Sequence, residues 1–123
     1  IMDGKPIRIF GDGSATRDFL YVEDLCRGII AALEARKQGF NAYHLASGRE
    51  LSVKELAEIA GRSASAPNHP IHFDPKRKGE VERNFADYSL ARNELGFSPT
   101  VTIEEAMART WDCFQQYKNQ VAG

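Results

Sequence analysis

The stretch Gly11-Asp12-Gly13-Ser14-Ala15-Thr16-Arg17-Asp18-Phe19-Leu20-Tyr21-Val22-Glu23-Asp24-Leu25 decides how the chain is read. It follows Pro6-Ile7-Arg8-Ile9-Phe10, whose alternating apolar and polar side chains predict a short strand. Gly11 to Ser14 stop that strand with turn chemistry. From Val22 the apolar positions Val22, Leu25, Cys26, Ile29, Ile30 and Leu33 form a helical stripe. Between turn and helix sits the pair Arg17-Asp18. An arginine in a loop between elements can offer a bidentate fork to a phosphate, with Asp18 near enough to orient it. The same pair also suits a surface arginine beside a helix-entry acid.

Further along, Gly39 suits a helix exit, and Ala42-Tyr43-His44-Leu45-Ala46 reads as a second strand closed by Ser47-Gly48. Ser52-Val53-Lys54-Glu55 is a capping box that opens a second helix, with Val53, Leu56, Ile59 and Ala60 on its buried side and Gly61 as its stop. Arg62 to Pro70 is polar and reads as loop, and Ile71-His72-Phe73 as a third strand. Asp74 to Arg83 is crowded with charge. Asp87 can cap a short helix carrying Leu90, Ala91 and Leu95, with Gly96 as its stop. Thr102-Ile103-Glu104-Glu105 opens a last helix that is expected to bury Ile103, Ala106, Met107, Thr110, Trp111 and Phe114. Alternating helices and strands predict the α/β class, a few short strands with about four helices. Three short strands make a thin sheet that needs covering helices or strands from elsewhere.

The chain has 123 residues, with 42% hydrophobic and 27% charged content, ordinary values for one folded domain. Sixteen basic against seventeen acidic residues leave a net charge of −1, so no general pull toward nucleic acid or an anionic membrane is expected. Any bound anion must be caught by local groups. Cys26 and Cys113 fall on apolar helix faces and are expected to be buried free thiols in a cytoplasmic protein. His44, His69 and His72 lack the spacing of a metal site. The text opens on Ile1 and runs almost at once into a strand, which reads as the downstream part of a longer polypeptide.

The run "IFGDGSATRDFLYVEDL", followed in order by "YHLASGRELSVKELAEIA" and "KRKGEVERNFADYSLARNELGFSPTVTIEEAM", resembles the substrate-binding part of extended short-chain dehydrogenase/reductases acting on nucleotide-linked sugars. The likeness spans residue 6 to about residue 114 and is greatest to the UDP-glucose 4-epimerases among the NAD-dependent epimerases and dehydratases. It implies the C-terminal portion of a Rossmann-type enzyme, with residues 1–123 as the nucleotide-sugar-binding part and the NAD-binding part missing. It also implies residue roles. Main-chain groups near Arg8 and Phe10 would read the edge of the base. Arg17 would meet the ribose or diphosphate, and Val53 would line the base pocket. Arg77, two residues before Gly79, would be a second diphosphate arginine. A loop between Lys76 and Lys78 is otherwise simply solvated, but two convergent guanidiniums suit a diphosphate.

Glu80 is expected to shape its loop, Asp87 and Ser89 to cap a helix, and Trp111 and Phe114 to lie in the core. Two family features are absent from the sequence. No third glycine opens a helix after Gly11 and Gly13, so this turn does not seat NAD. None of Tyr21, Tyr43, Tyr88 and Tyr117 has a lysine four residues on; Leu25, Ser47, Arg92 and Val121 stand there instead. The resemblance therefore implies that this segment grips a UDP-sugar or other NDP-sugar for a 4-epimerase, without catalysis of its own. Alternatives are a 4,6-dehydratase or decarboxylase sharing the site, or a stand-alone module binding a nucleotide or protein. The isolated chain is also expected to expose an apolar flank and self-associate through it.

Overall fold

A computed structural model of the chain describes residues 1–121. Its contacts divide the molecule into two units that interleave along the sequence. Unit 1 takes residues 1–15, 52–82 and the segment from Thr102 on; unit 2 takes Thr16–Leu51 and Arg83–Val101.

Unit 1 is built on strand β1 (Ile7–Phe10), which pairs in parallel with β4 (Ile71–Asp74), Ile7 opposite Ile71 and Phe10 opposite Asp74. Helix α2 (Val53–Ser63) packs on α4 (Ile103–Val121) and touches β1. The core is Ile9, Ala57, Ile59 and Ala106. The expected capping box is present: Ser52 Oγ accepts from the Glu55 N–H at 3.1 Å, and the Glu55 carboxylate accepts from the Ser52 N–H at 2.9 Å. Gly61 is not the stop it was expected to be. It lies inside α2, and a Cβ there would come within 2.9 Å of the Ala66 carbonyl oxygen, so its value is close approach of the chain. For the last helix, the Thr102 hydroxyl accepts from the Glu105 N–H. Ala106 is buried, while Ile103, Met107, Thr110 and Trp111 are half-buried. Phe114 is exposed, against expectation: it lies three turns along α4, past the reach of the core it was assigned to.

Unit 2 carries β2 (Thr16–Asp18), β3 (Glu50–Ser52, whose last residue is the N-cap of α2 and falls in unit 1) and β5 (Arg83–Asn84) in the order β3-β2-β5. β2 and β5 run parallel, Thr16 opposite Arg83 and Arg17 opposite Asn84. None of these three strands shows in the sequence, because two or three residues are too few for a period to register. Conversely, the strand expected over residues 42–46 carries no strand pairing, and His44 therefore lies in extended coil. Helix α3 (Ser89–Leu95) ends on Gly96 in the left-handed region at φ 67°, as expected. Asp87 accepts from the Ser89 N–H and hydroxyl at its entry.

Helix α1 (Val22–Glu34) packs against α3 and buries Asp24 and Gly28. Asp24 is fully buried. It accepts from the main-chain N–H groups of Thr100 and Val101, at 3.1 to 3.2 Å, and from Arg27. Gly28 is closed in by Leu45 and Phe97, either of which a Cβ would meet within about 3 Å. The buried Phe97 ring meets Tyr88 edge-on at 5.9 Å between centroids. The apolar stripe lies on the other side: Val22, Leu25, Ile29, Ile30 and Leu33 are all exposed, Leu33 at 74%. The expectation of buried thiols fails with it, since Cys26 on this stripe and Cys113 on the outer side of α4 are exposed. Among the described residues, no helix is long and apolar enough to cross a membrane.

Candidate functional site

In unit 2 the short sheet opens a cleft of about 170 Å³ lined by Arg17, Asp18, Leu20, Leu45, Ala46, Asn84, Phe85 and Ala86. Both halves of the unit contribute to it, β2 from one segment and β5 with its following residues from the other. Arg17 is half-buried and donates from Nη1 to the Thr16 carbonyl at 2.7 Å, which fixes the root of its guanidinium at the cleft. Asp18 does not orient Arg17, as the sequence had suggested. Its carboxylate instead accepts from the Ser47 N–H at 2.8 Å, the Ser47 hydroxyl at 2.6 Å and the Gly48 N–H at 2.9 Å. It thereby fastens the turn that follows Leu45 and Ala46, one wall of the cleft. Gly48 is required there: its φ is 70°, and a Cβ would stand 2.7 Å from the Tyr88 ring. The lining joins apolar side chains to the Arg17 guanidinium, a combination suited to a ligand with a flat or aliphatic body and an anionic group.

In unit 1, three expected site residues come together around β1. The Arg77 guanidinium sits 3.6 Å from the centroid of the Phe10 ring. A cation held over a ring keeps its N–H groups for an oxyanion, because the contact spends charge rather than a hydrogen bond. Arg8, two residues earlier on β1, forks onto Asp74 with bonds of 2.8 and 2.9 Å and holds that carboxyl below its usual range. The Arg8 side chain is thus occupied within the sheet, while its main chain stays on β1. Val53 is half-buried at the first position of α2, and its N–H bonds the Ala15 carbonyl at 3.0 Å. Glu80 closes a turn, its N–H to the Arg77 carbonyl, with Gly79 at φ 80°. Arg17 belongs to unit 2, apart from this group in the division of the chain.

The glycine turn after β1 does not fit an NAD pyrophosphate. It gives carbonyls to α2, Gly13 to Lys54 N–H and Ala15 to Val53 N–H, while Ser52 takes the Glu55 N–H. The helix N-terminus that would attract a phosphate has its leading N–H groups satisfied from within. A Cβ on Gly13 would stand 2.9 Å from Lys54 Cβ and 3.4 Å from the Phe73 ring. That space is filled by protein.

The sequence marks Arg17 but not what builds the cleft around it. Asn84, Phe85 and Ala86 follow a charged run and carry no pattern of their own, and Asp18 gave no sign that its partner would be Ser47.

A family profile described as GDP-mannose 4,6 dehydratase matches residues 1–110. The dTDP-glucose 4,6-dehydratase of an Actinoplanes species is 39% identical over 110 residues, covering 89% of this chain and 34% of that protein. The UDP-glucose 4-epimerase of Mycolicibacterium smegmatis is 33% identical over 115 residues, covering 94% and 36%. The UDP-glucuronic acid 4-epimerase of Bacillus cereus, solved with UDP-glucuronic acid and NAD, matches with a TM-score of 0.86 and 30% identity over 94% of this chain and 37% of that one. The chain spans about a third of the length of the relatives it matches. Its mixed α/β fold and its sequence agree on one assignment: the chain belongs to the GDP-mannose 4,6-dehydratase family, among the NAD-dependent epimerases and dehydratases of the extended short-chain dehydrogenase/reductases.

Proposed function

We propose that residues 1–123 form the nucleotide-sugar-binding portion of an NAD-dependent nucleoside-diphosphate-sugar 4-epimerase, with the NAD-binding portion outside this chain. The observation that carries this reading is the unit 2 cleft, whose lining sets Arg17 beside the apolar Leu20, Leu45, Ala46 and Phe85. The apolar part suits a sugar ring or base, and the guanidinium suits the diphosphate joined to it. Within unit 1, Arg77 mounted on Phe10 suits a diphosphate, the β1 main chain at Arg8 and Phe10 reads a base, and Val53 lines its pocket. This portion binds and orients; with no Tyr-x-x-x-Lys pair in the sequence and a glycine turn that does not seat a pyrophosphate, it contributes position rather than proton or hydride transfer. The B. cereus neighbour holds a UDP-sugar and NAD together, which supports the same ligand class here.

A 4,6-dehydratase is the second reading, favoured by the name of the matching family and by the 39% identical Actinoplanes enzyme. Product analysis of the full-length polypeptide with UDP-glucose and dTDP-glucose separates the two: a 4-epimer from one, a 4-keto-6-deoxy sugar from the other. For the binding claim itself, UDP is titrated calorimetrically into the chain. Arg17→Ala is expected to weaken binding by about 10- to 100-fold, the loss that follows from removing a charged hydrogen-bond donor. Equal affinity in wild type and variant would sink the role of Arg17. The exposed stripe of α1 is read as a face that the NAD-binding portion covers, so the chain alone self-associates through it.

A further inference from the structure

We propose that Glu50 is a positioning residue for the unit 2 cleft, holding Phe85 in the cleft wall through Arg83. The inference rests on the reading of that cleft as a ligand site. Strands of two or three residues pair weakly. β5 has only Arg83 and Asn84 in its ladder, and Phe85 follows just past its end. Main-chain pairing alone gives such a short strand little hold on the side chain beyond it. One carboxylate supplies the missing tie. Glu50, on β3, accepts from the Thr16 hydroxyl of β2 at 2.8 Å and from Arg83 Nε and Nη2 of β5 at 3.0 and 2.6 Å. It therefore crosses all three strands of the sheet. Arg83, fixed by that fork, stands 5.2 Å from the centroid of the Phe85 ring.

Side chains alternate across a strand, so Thr16 and Arg83 share one face while Arg17 and Asn84, also opposite each other, share the other. Glu50 therefore bonds on the face away from Arg17, and Phe85, two residues on from Arg83, reaches the cleft from past the end of β5. The influence of Glu50 passes through Arg83 to Phe85, which is 54% exposed and has little packing of its own to fix it. The fork and the Thr16 hydroxyl hold the Glu50 carboxyl below its usual range, so it is ionised at neutral pH. An exposed ion pair contributes little to global stability, which separates a positioning role from a structural one.

The test is aromatic NMR of the 123-residue chain with and without Glu50→Gln, together with its thermal midpoint. The Phe85 ring signals are expected to shift and broaden, those of the buried Phe97 to stay in place, and the midpoint to change by no more than about 2 °C. Unchanged Phe85 signals in Glu50→Gln overturn the proposal. In a parallel UDP titration, Glu50→Gln is expected to weaken binding about fivefold. A wild-type chain that binds no UDP speaks against the ligand assignment, whereas the Phe85 signals judge the Glu50 tie by themselves.

Discussion

Helices α1 and α2 both carry an apolar stripe at helical spacing in the sequence and have opposite fates in the fold. α2 turns its apolar side inward, with Ile59 only 4% exposed, and presses it on α4. α1 turns its stripe outward, leaving Ile29 48% exposed, and buries an aspartate and a glycine instead. The period of a helix states that one face is to be covered; it does not state by what. In α2 the cover lies within unit 1. In α1 the residues that anchor the helix are those the pattern would have assigned to water, and the apolar face is left for something beyond unit 2.

Four substitutions and a pH series test that contrast. The largest effect is expected from Asp24→Ala, which strips the Thr100 and Val101 N–H groups of their acceptor inside unit 2. About 3 kcal/mol or more of stability should go, measured by urea unfolding. A small loss would mean that the stripe, not the carboxylate, anchors α1. Ile59→Ala in α2 should cost about 2 to 4 kcal/mol by cavity formation. On α1, Ile29→Ser and Leu33→Ser together should leave the unfolding midpoint almost unmoved while cutting self-association seen by light scattering. A stability loss as large as that of Ile59→Ala would erase the difference between the two helices.

The smallest effect concerns pH. Glu55 in the α2 capping box is held below its usual range by its bond from Ser52. A carboxyl depressed in the fold contributes stability that is present above its unfolded pKa and lost as pH falls through the folded value. The α2 end should therefore loosen between about pH 5 and pH 3, seen as faster amide exchange near Val53. α1, whose entry residue Tyr21 makes no side-chain cap, has no such cap to lose.

The elements with a clear local cause were legible in the sequence. β1, the glycine turn, the Ser52 capping box and the Gly96 stop each follow from a few neighbouring residues, and each stands where it was expected. What failed had a distant cause. The expected strand at residues 42–46 has the right composition but finds no partner strand in unit 2. β2, β3 and β5 form where distant segments meet, as Glu50 meets Thr16 and Arg83 across more than thirty positions of chain. The same division holds for the site. Arg17 and Arg77 stood out by type and setting, and the family likeness marked Val53. Phe85 and Asn84 became visible only when β5 was seen to lie beside β2.

The bonds from Thr100 and Val101 to Asp24 close a loop of more than seventy residues, and the whole of unit 1's middle segment lies inside it in the sequence. During synthesis α1 emerges long before its acceptor side can be used, with an outward greasy face and an unsatisfied inward charge. Only when residue 101 has cleared the ribosome can the carboxylate find its donors. Unit 2 is consequently a structure that completes late, and any nascent chain halted before that point presents α1 to the cell with both of its faces unmet.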